Sequence, residues 1–270
     1  MIGIGWPLAV ALVALVAVAV GASLLGHVGT ARQSAVAAVR AVLQLGVVSL
    51  VILAVVRSWW TTAAFMLLML GVATWTSARR LTPDRGGLAV GAAILAGALP
   101  VLAVVLGSGA VPLTGIAVVP ITGILVGGAM SAASLAGRRA LDGLATRHGE
   151  YEAALSLGFG VRDAAMIVVR PSGAEALVPA LDQTRTVGLV TLPGAFVGVL
   201  LGGGSPVAAG AAQVLVLVGL LAAETIAVVV TVELVARDVI RRVRPATADR
   251  PGRRRGSHPR RPGLRRRVTR

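Results

Sequence analysis

Residues 207–235 read VAAGAAQVLVLVGLLAAETIAVVVTVELV, and apart from Glu224 and Glu233 they contain no ionisable side chain. A helix needs about 20 apolar residues to cross the roughly 30 Å hydrocarbon core of a bilayer, and this run exceeds that. Six comparable runs precede it, at 3–26, 36–56, 59–78, 88–107, 113–136 and 186–203. The composition agrees: 56 % of the 270 residues are hydrophobic, 14 % are charged and the mean hydropathy is +0.86, whereas soluble domains carry about 25 % charged residues. The fold class that follows is all-α, a polytopic membrane protein of about seven transmembrane helices. The first run is preceded by no basic residue and its apolar stretch is too long for a signal peptide.

Charge orients the spans. All 26 basic residues are arginine, and fourteen of them lie between Arg237 and Arg270 against Asp238 and Asp249, which is +12 of the total +15. Arg32, then Arg79, Arg80 and Arg85, then Arg138, Arg139, Arg147, Arg162 and Arg170 fall in alternate connections. The intervening connections hold Arg57 alone. Arginine collects on the cytoplasmic side, so the N-terminus is expected outside and the C-terminus inside, as an odd number of spans requires. Residues 1–240 then form a transmembrane domain. Residues 241–270, rich in arginine and proline, form a disordered cytoplasmic tail that attracts anionic lipid. Nothing in the tail reads bases, so nucleic acid is not an expected partner.

Several chemistries are excluded. With no cysteine there are no thiolate metal sites, and His27, His148 and His258 are scattered. A membrane-embedded enzyme would need a cluster of such residues, so no catalytic residue and no cofactor is expected, and a metal site stays unassigned. Without lysine, a standard phosphate-binding GxxxxGK[ST] loop cannot exist.

The long connection 137–186 is expected to hold short amphipathic helices: one through Glu150–Leu157 ended by Gly158, a second over Val161–Val169 stopping before Pro171, a third from Ala174 into Leu181. Pro120 and Pro193, inside the fifth and sixth runs, predict kinks there. Gly123 with Gly127, and Gly194, Gly198 and Gly202, have the GxxxG spacing of close helix contacts. In the spans, Arg40 and Gln44 share one helix face, Arg40 near enough to the end to snorkel. Gln213 and Glu224 are the deepest polar groups of the last run. Met130 fills space more readily than it binds metal. Charged groups in spans are costly and mark pathways or pairs, so Arg40, Gln44, Met130, Gln213 and Glu224 are the candidate path residues, with Arg40 a possible partner for Glu224.

Glu152-Ala153-Ala154, three residues, Gly158, and later Val168 and Pro171 resemble the EAA signature of prokaryotic ABC transporter permeases, the element that docks an ATPase. Val39–Leu45, Val119–Leu125, Gly128–Leu135, Thr186–Gly194 and Gln213 resemble, in order and spacing over about residues 30–220, the FetB-like iron-export ABC permeases. The family pattern carries asparagines near Gly128 and Ser131, and methionines and a glutamine near Ala195, Phe196 and Val199. This chain has none of those groups at Gly128, Ser131, Ala195, Phe196 or Val199.

The resemblance implies a permease of the bacterial inner membrane that pairs with a second permease copy. Each copy would dock a separate ABC ATPase subunit through Glu152, Ala153, Ala154, Gly158 and Pro171. Bacterial members are linked to iron export and plant relatives to UDP-glucose transport and aluminium tolerance. A metal-ion exporter is therefore the expectation, with a non-metal cargo such as a nucleotide sugar as one alternative. A stand-alone secondary transporter or channel is the other, although such proteins usually show inverted repeats and none is evident here.

Overall fold

A computed structural model describes residues 5–242. Among these the chain is helical: α1 (Trp6–Leu25), α2 (Ala31–Val55), α3 (Trp59–Leu81), a 3-10 turn (Arg85–Ala89) leading into α4 (Val90–Gly107), α5 (Gly115–Thr146), α6 (His148–Ser156), α7 (Val161–Thr186), α8 (Gly194–Leu201) and α9 (Pro206–Ala236). Seven are long and apolar enough to cross a membrane, the 3-10 turn and α4 counting as one. The tail beyond Arg242, with the expectation placed on it, lies outside the described residues.

The body is built around α5 and α9, with α3, α4 and α7 packed against them. Small residues let the axes approach. A Cβ on Gly97 of α4 would run into the backbone carbonyl of Ala223, and one on Gly137 of α5 would lie 2.6 Å from Leu81 and 3.2 Å from Thr231. In lipid no hydrophobic force drives helices together, so contacts of this kind hold the bundle. Ala129, Ala133 and Ala136 of α5 and Ala223 and Ala227 of α9 are fully buried there. The ends of α3, α5 and α9 gather on one side, where Arg242 Nε donates to the Leu81 carbonyl at 3.1 Å and Arg242 pairs with Asp142. Ile240, just before, is fully buried.

The hairpin α1–α2 stands apart. The two helices pack on one another and meet the rest of the chain mainly at the end of α2, against α3 and, through Val56, against Gly115 of α5. No residue of α2 is buried, and Ser23 alone is buried in α1.

The sixth span differs from expectation. The run 186–203 is not one helix: it is a seven-residue unwound segment, 187–193, followed by the eight-residue α8. Pro193 lies at the N-cap of α8 instead of kinking a helix from inside. The helix that precedes the break is α7, one continuous stretch where short pieces were expected, and it runs through both Pro171 and Pro179. Packing is the reason. Val168, Val169, Ser172, Gly173 and Ala176 are buried against the bundle, while Pro171 and Pro179 lie on the exposed face, where a proline ring and a lost N–H bond bend a helix without prising it off its neighbours. Pro120 does lie inside α5, and so does Pro100 inside α4.

Candidate functional site

Two places gather the residues singled out from the sequence. The first is the α6–α7 elbow. Helix α6 ends as its glycine predicts: Gly158 takes φ +89°, and the Gly158 and Phe159 amides close back on Leu155 and Ala154. Gly160 then caps α7. Ala154 is buried and fixes α6 on its neighbours, whereas Glu152, Ala153 and Gly158 are exposed. Glu152 is paired with His148 at 3.2 Å, one turn earlier. Pro171 lies well away along α7, on its exposed face.

Sequence reasoning missed the apolar tip of this elbow. Leu157 is 79 % exposed, and Phe159 and Val161 are also exposed beside it. Three large apolar side chains at a polar helix turn form a patch suited to a protein partner. Their signal was present in the sequence, as apolar residues flanking two glycines, but only the fold shows that they point outward. The elbow is also tied down. Arg162 grips Glu233 of α9 with two bonds of 2.6 and 2.7 Å, Arg237 adds a third at 2.6 Å, Arg139 of α5 meets Glu175 of α7 at 3.1 Å, and Arg147 donates to the Val168 carbonyl. Each pair is exposed and individually weak; together they bind α7 to α5 and α9.

The second place is the face of α9 that meets α5 and α8. Gln213, Leu217, Leu220, Glu224 and Thr231 recur at spacings of three, four and seven, so they form one stripe. Gln213 is buried and its Oε1 accepts from the Phe196 amide at 3.3 Å, which holds the first turn of α8 against α9. Glu224 is half-buried and faces α5: a Cβ on Gly128 would lie 2.6 Å from its Oε1. Gly127 has open space beside it, and exposed Ser131 donates to the Gly127 carbonyl at 3.0 Å. Met130 packs against the core, and its carbonyl accepts from Ser77 at 3.4 Å. Arg40 and Gln44 are both exposed on α2, and neither reaches Glu224 or Gln213 within the protomer. The Arg40–Glu224 pair raised from the sequence does not form within one chain.

The unwound segment lies at the level of the N-terminal part of this stripe, since α8 beyond it meets Gln213. Gly173 of α7 is opposite Val228 and Val232, and Phe196 of α8 is opposite Gln213. Walking thirteen residues along α7 from Gly173 covers about 20 Å, which brings Thr186 beside Leu217. The break therefore lies roughly 15 Å from the start of α9, which is half of a 30 Å hydrocarbon layer counted from the first turn of α9. Of the expected glycine contacts, a Cβ on Gly123 would come 2.8 Å from Met69, while Gly194 and Gly198 face open space. Among the described residues no group of three or more His, Asp or Glu could hold a metal ion.

A model of the uncharacterised protein family UPF0014 matches residues 6–240. The chain belongs to the UPF0014 family. It is similar to the UPF0014 membrane protein STAR2 of Oryza sativa, 33 % identical over 229 residues, covering 83 % of this chain and 80 % of that one. It is 33 % identical to Protein ALUMINUM SENSITIVE 3 of Arabidopsis thaliana over 69 % of this chain and 70 % of the relative. It is 34 % identical to the probable iron export permease protein FetB of Escherichia coli over 54 % of this chain and 56 % of the relative. No solved structure matches. With seven membrane-crossing helices and membrane-protein relatives, this UPF0014 member is a multi-pass membrane protein.

Proposed function

We propose that this UPF0014 protein is the permease subunit of an ABC transporter, an exporter that works as a pair of copies in a bacterial inner membrane and is driven by a separate ATPase. The observation that carries the reading is the elbow: an exposed apolar tip of Leu157, Phe159 and Val161, next to Glu152, on a helix turn clamped to α5 and α9. A lone channel needs no such handle. A machine that takes its energy from a partner needs a patch to bind that partner and a link clamped to the spans, and a movement delivered there would reach the unwound segment through α7. The distribution of the arginines supports an orientation with the elbow and the C-terminus in the cytoplasm. The basic tail would lie near anionic lipid.

The cargo is proposed as a metal cation, iron or another. The similarity to the probable iron export permease FetB supports it, and so does a half-buried carboxylate, Glu224, against Gly128 of α5 among uncharged residues. Capture of the tagged protein from its own membranes in mild detergent tests the assembly. A co-purifying nucleotide-binding subunit, with ATP-dependent flux after reconstitution, is the expected result. Flux without ATP and without any ATPase overturns it in favour of a secondary transporter or channel, and ATP-dependent flux of a nucleotide sugar but no metal corrects the cargo alone.

Glu224→Gln keeps the shape and removes the charge. At equal membrane abundance, metal flux should fall by about tenfold, the equivalent of one charged contact worth about 1.4 kcal/mol. Unchanged flux removes Glu224 from the path.

A further inference from the structure

Two features of the protomer make no sense in lipid. The segment 187–193 leaves the carbonyl groups of Val187, Gly188, Leu189, Val190 and Leu192 without a hydrogen-bond donor, although Gly188 and Val190 bond locally through their amides. Its side chains point away from the body: Leu189 is 92 % exposed. Irregular backbone at mid-membrane depth is tolerated only where protein or a water-filled cavity covers it. Elsewhere, α2 exposes a guanidinium and an amide on one face, at Arg40 and Gln44, on a hairpin that hardly touches its own bundle.

The two features match in depth. Successive spans alternate direction, so the start of α2 and the end of α9 lie on the same side of the membrane. Gln44 is about 20 Å along α2 from Ala31, near the middle of the helix, the level of the unwound segment. Arg40 lies about 6 Å nearer the end shared with Ala236, and Glu224 lies about 10 Å nearer that end than Leu217, beside the break. A cation and an amide on one surface therefore face, at corresponding heights, a carboxylate and a row of vacant carbonyls on another. Within one chain they do not meet. Gly194 and Gly198, with nothing near them, leave room for a second backbone against α8.

We infer that the α1–α2 hairpin of each copy docks on the other copy, laying the Arg40–Gln44 face of α2 over the partner's unwound segment so that Gln44 covers residues 187–193 and Arg40 approaches Glu224. The occupant of that exposed face is thus a second copy of this chain. This rests on the pairing of copies proposed above and adds which surfaces meet. It gives the exposed carbonyls donors, removes an isolated arginine from lipid and makes the surroundings of Glu224 a product of two chains.

The chain has no cysteine, so engineered thiols report cleanly. Two differently tagged copies are co-expressed, one carrying Gln44→Cys and the other Leu189→Cys, and the native membranes are oxidised or treated with a short bis-thiol reagent. The expected result is a shift to the mass of a doubly tagged dimer, with no shift when Leu189→Cys is replaced by Leu67→Cys, exposed on α3. Should Leu189→Cys fail to accumulate, Val190→Cys, 77 % exposed, takes its place. Cross-linking of Gln44→Cys to Leu67→Cys instead overturns the inference. So does a cross-link within a single chain that carries Gln44→Cys and Leu189→Cys together, since the hairpin would then fold back on its own bundle. If the two tags co-purify yet none of these thiols join across copies, the docking fails and the paired permease stands; if the tags never co-purify, the pairing itself fails.

Discussion

With the elbow as the docking element proposed above, Gly158→Leu should cost this protein the proposed ATPase partner while leaving the membrane bundle folded. Gly158 sits at φ +89°, a left-handed conformation that costs a residue with a Cβ roughly 1–2 kcal/mol. The strain has no compensation, because the turn is at the surface and open on all sides. The chain relieves it by opening the turn, and Leu157 and Phe159 then no longer present one surface. Retention of the ATPase in a detergent capture should fall roughly five- to thirtyfold, the factor that 1–2 kcal/mol represents. Phe159→Asp reaches the same end by another route, leaving the backbone alone and placing a charge in the apolar tip. Gly149→Ala, in α6 with open space around it, is the control: it should leave capture unchanged. If Gly158→Leu and Phe159→Asp both capture normally, the elbow is not the docking element.

Gly97→Leu should have the larger effect on stability. A Cβ there would meet the carbonyl oxygen of Ala223, with the Ala227 Cβ at 3.1 Å. Neither obstacle is the end of a flexible side chain, so relief requires α4 and α9 to separate along a seam of buried alanines. Overpacking of a tight interior costs about 1–3 kcal/mol. For a chain of this size each 1 kcal/mol lowers the unfolding midpoint by about 2–4 °C, so a fall of roughly 5–10 °C in detergent is expected. Gly71→Leu on α3, where a side chain meets nothing, should leave the midpoint where it is. Equal midpoints for the two would mean that the α4–α9 seam contributes nothing special.

The spans were legible because hydropathy is local: five of the seven expected runs coincide with helices to within a few residues at most ends, and α5 and α9 begin where their runs do. The sixth was misplaced because α7 carries Arg162, Asp163, Arg170, Glu175, Asp182 and Arg185, which break the apolar run while leaving a buried stripe of Val168, Val169, Ser172, Gly173 and Ala176 intact. Pro171 and Pro179 compounded the error, since a proline's effect depends on which face it occupies, and that is a property of the packing. The end of α6 was legible from Gly158 because a C-capping glycine acts through its own backbone. Glu224 and Gln213 stood out as rare polar groups in an apolar run. What the sequence could not convey was the Gly128 beside Glu224, the hold of Gln213 on α8, or the outward turn of Leu157 and Phe159, all of which depend on residues distant in the chain. The GxxxG pattern misled in part: Gly97, which has no glycine four residues away, makes the nearest approach to another helix's backbone, and a Cβ on Gly194 or Gly198 would meet nothing in the protomer.

Pro171 and Pro179 also make α7 unevenly stiff. Each withholds an N–H from the carbonyl four residues back, at Ile167 and Glu175, so those turns lack the bracing of an ordinary helix. The first turns, by contrast, are gripped by Arg162 on Glu233 and by Arg147 on the Val168 carbonyl. A rod clamped at its foot and softened along its shaft does not slide as a whole when its foot is pushed; it flexes. Displacement entering at the elbow would then arrive at Thr186 as a change of angle, and the unwound residues beyond would swivel where a straight helix could only translate.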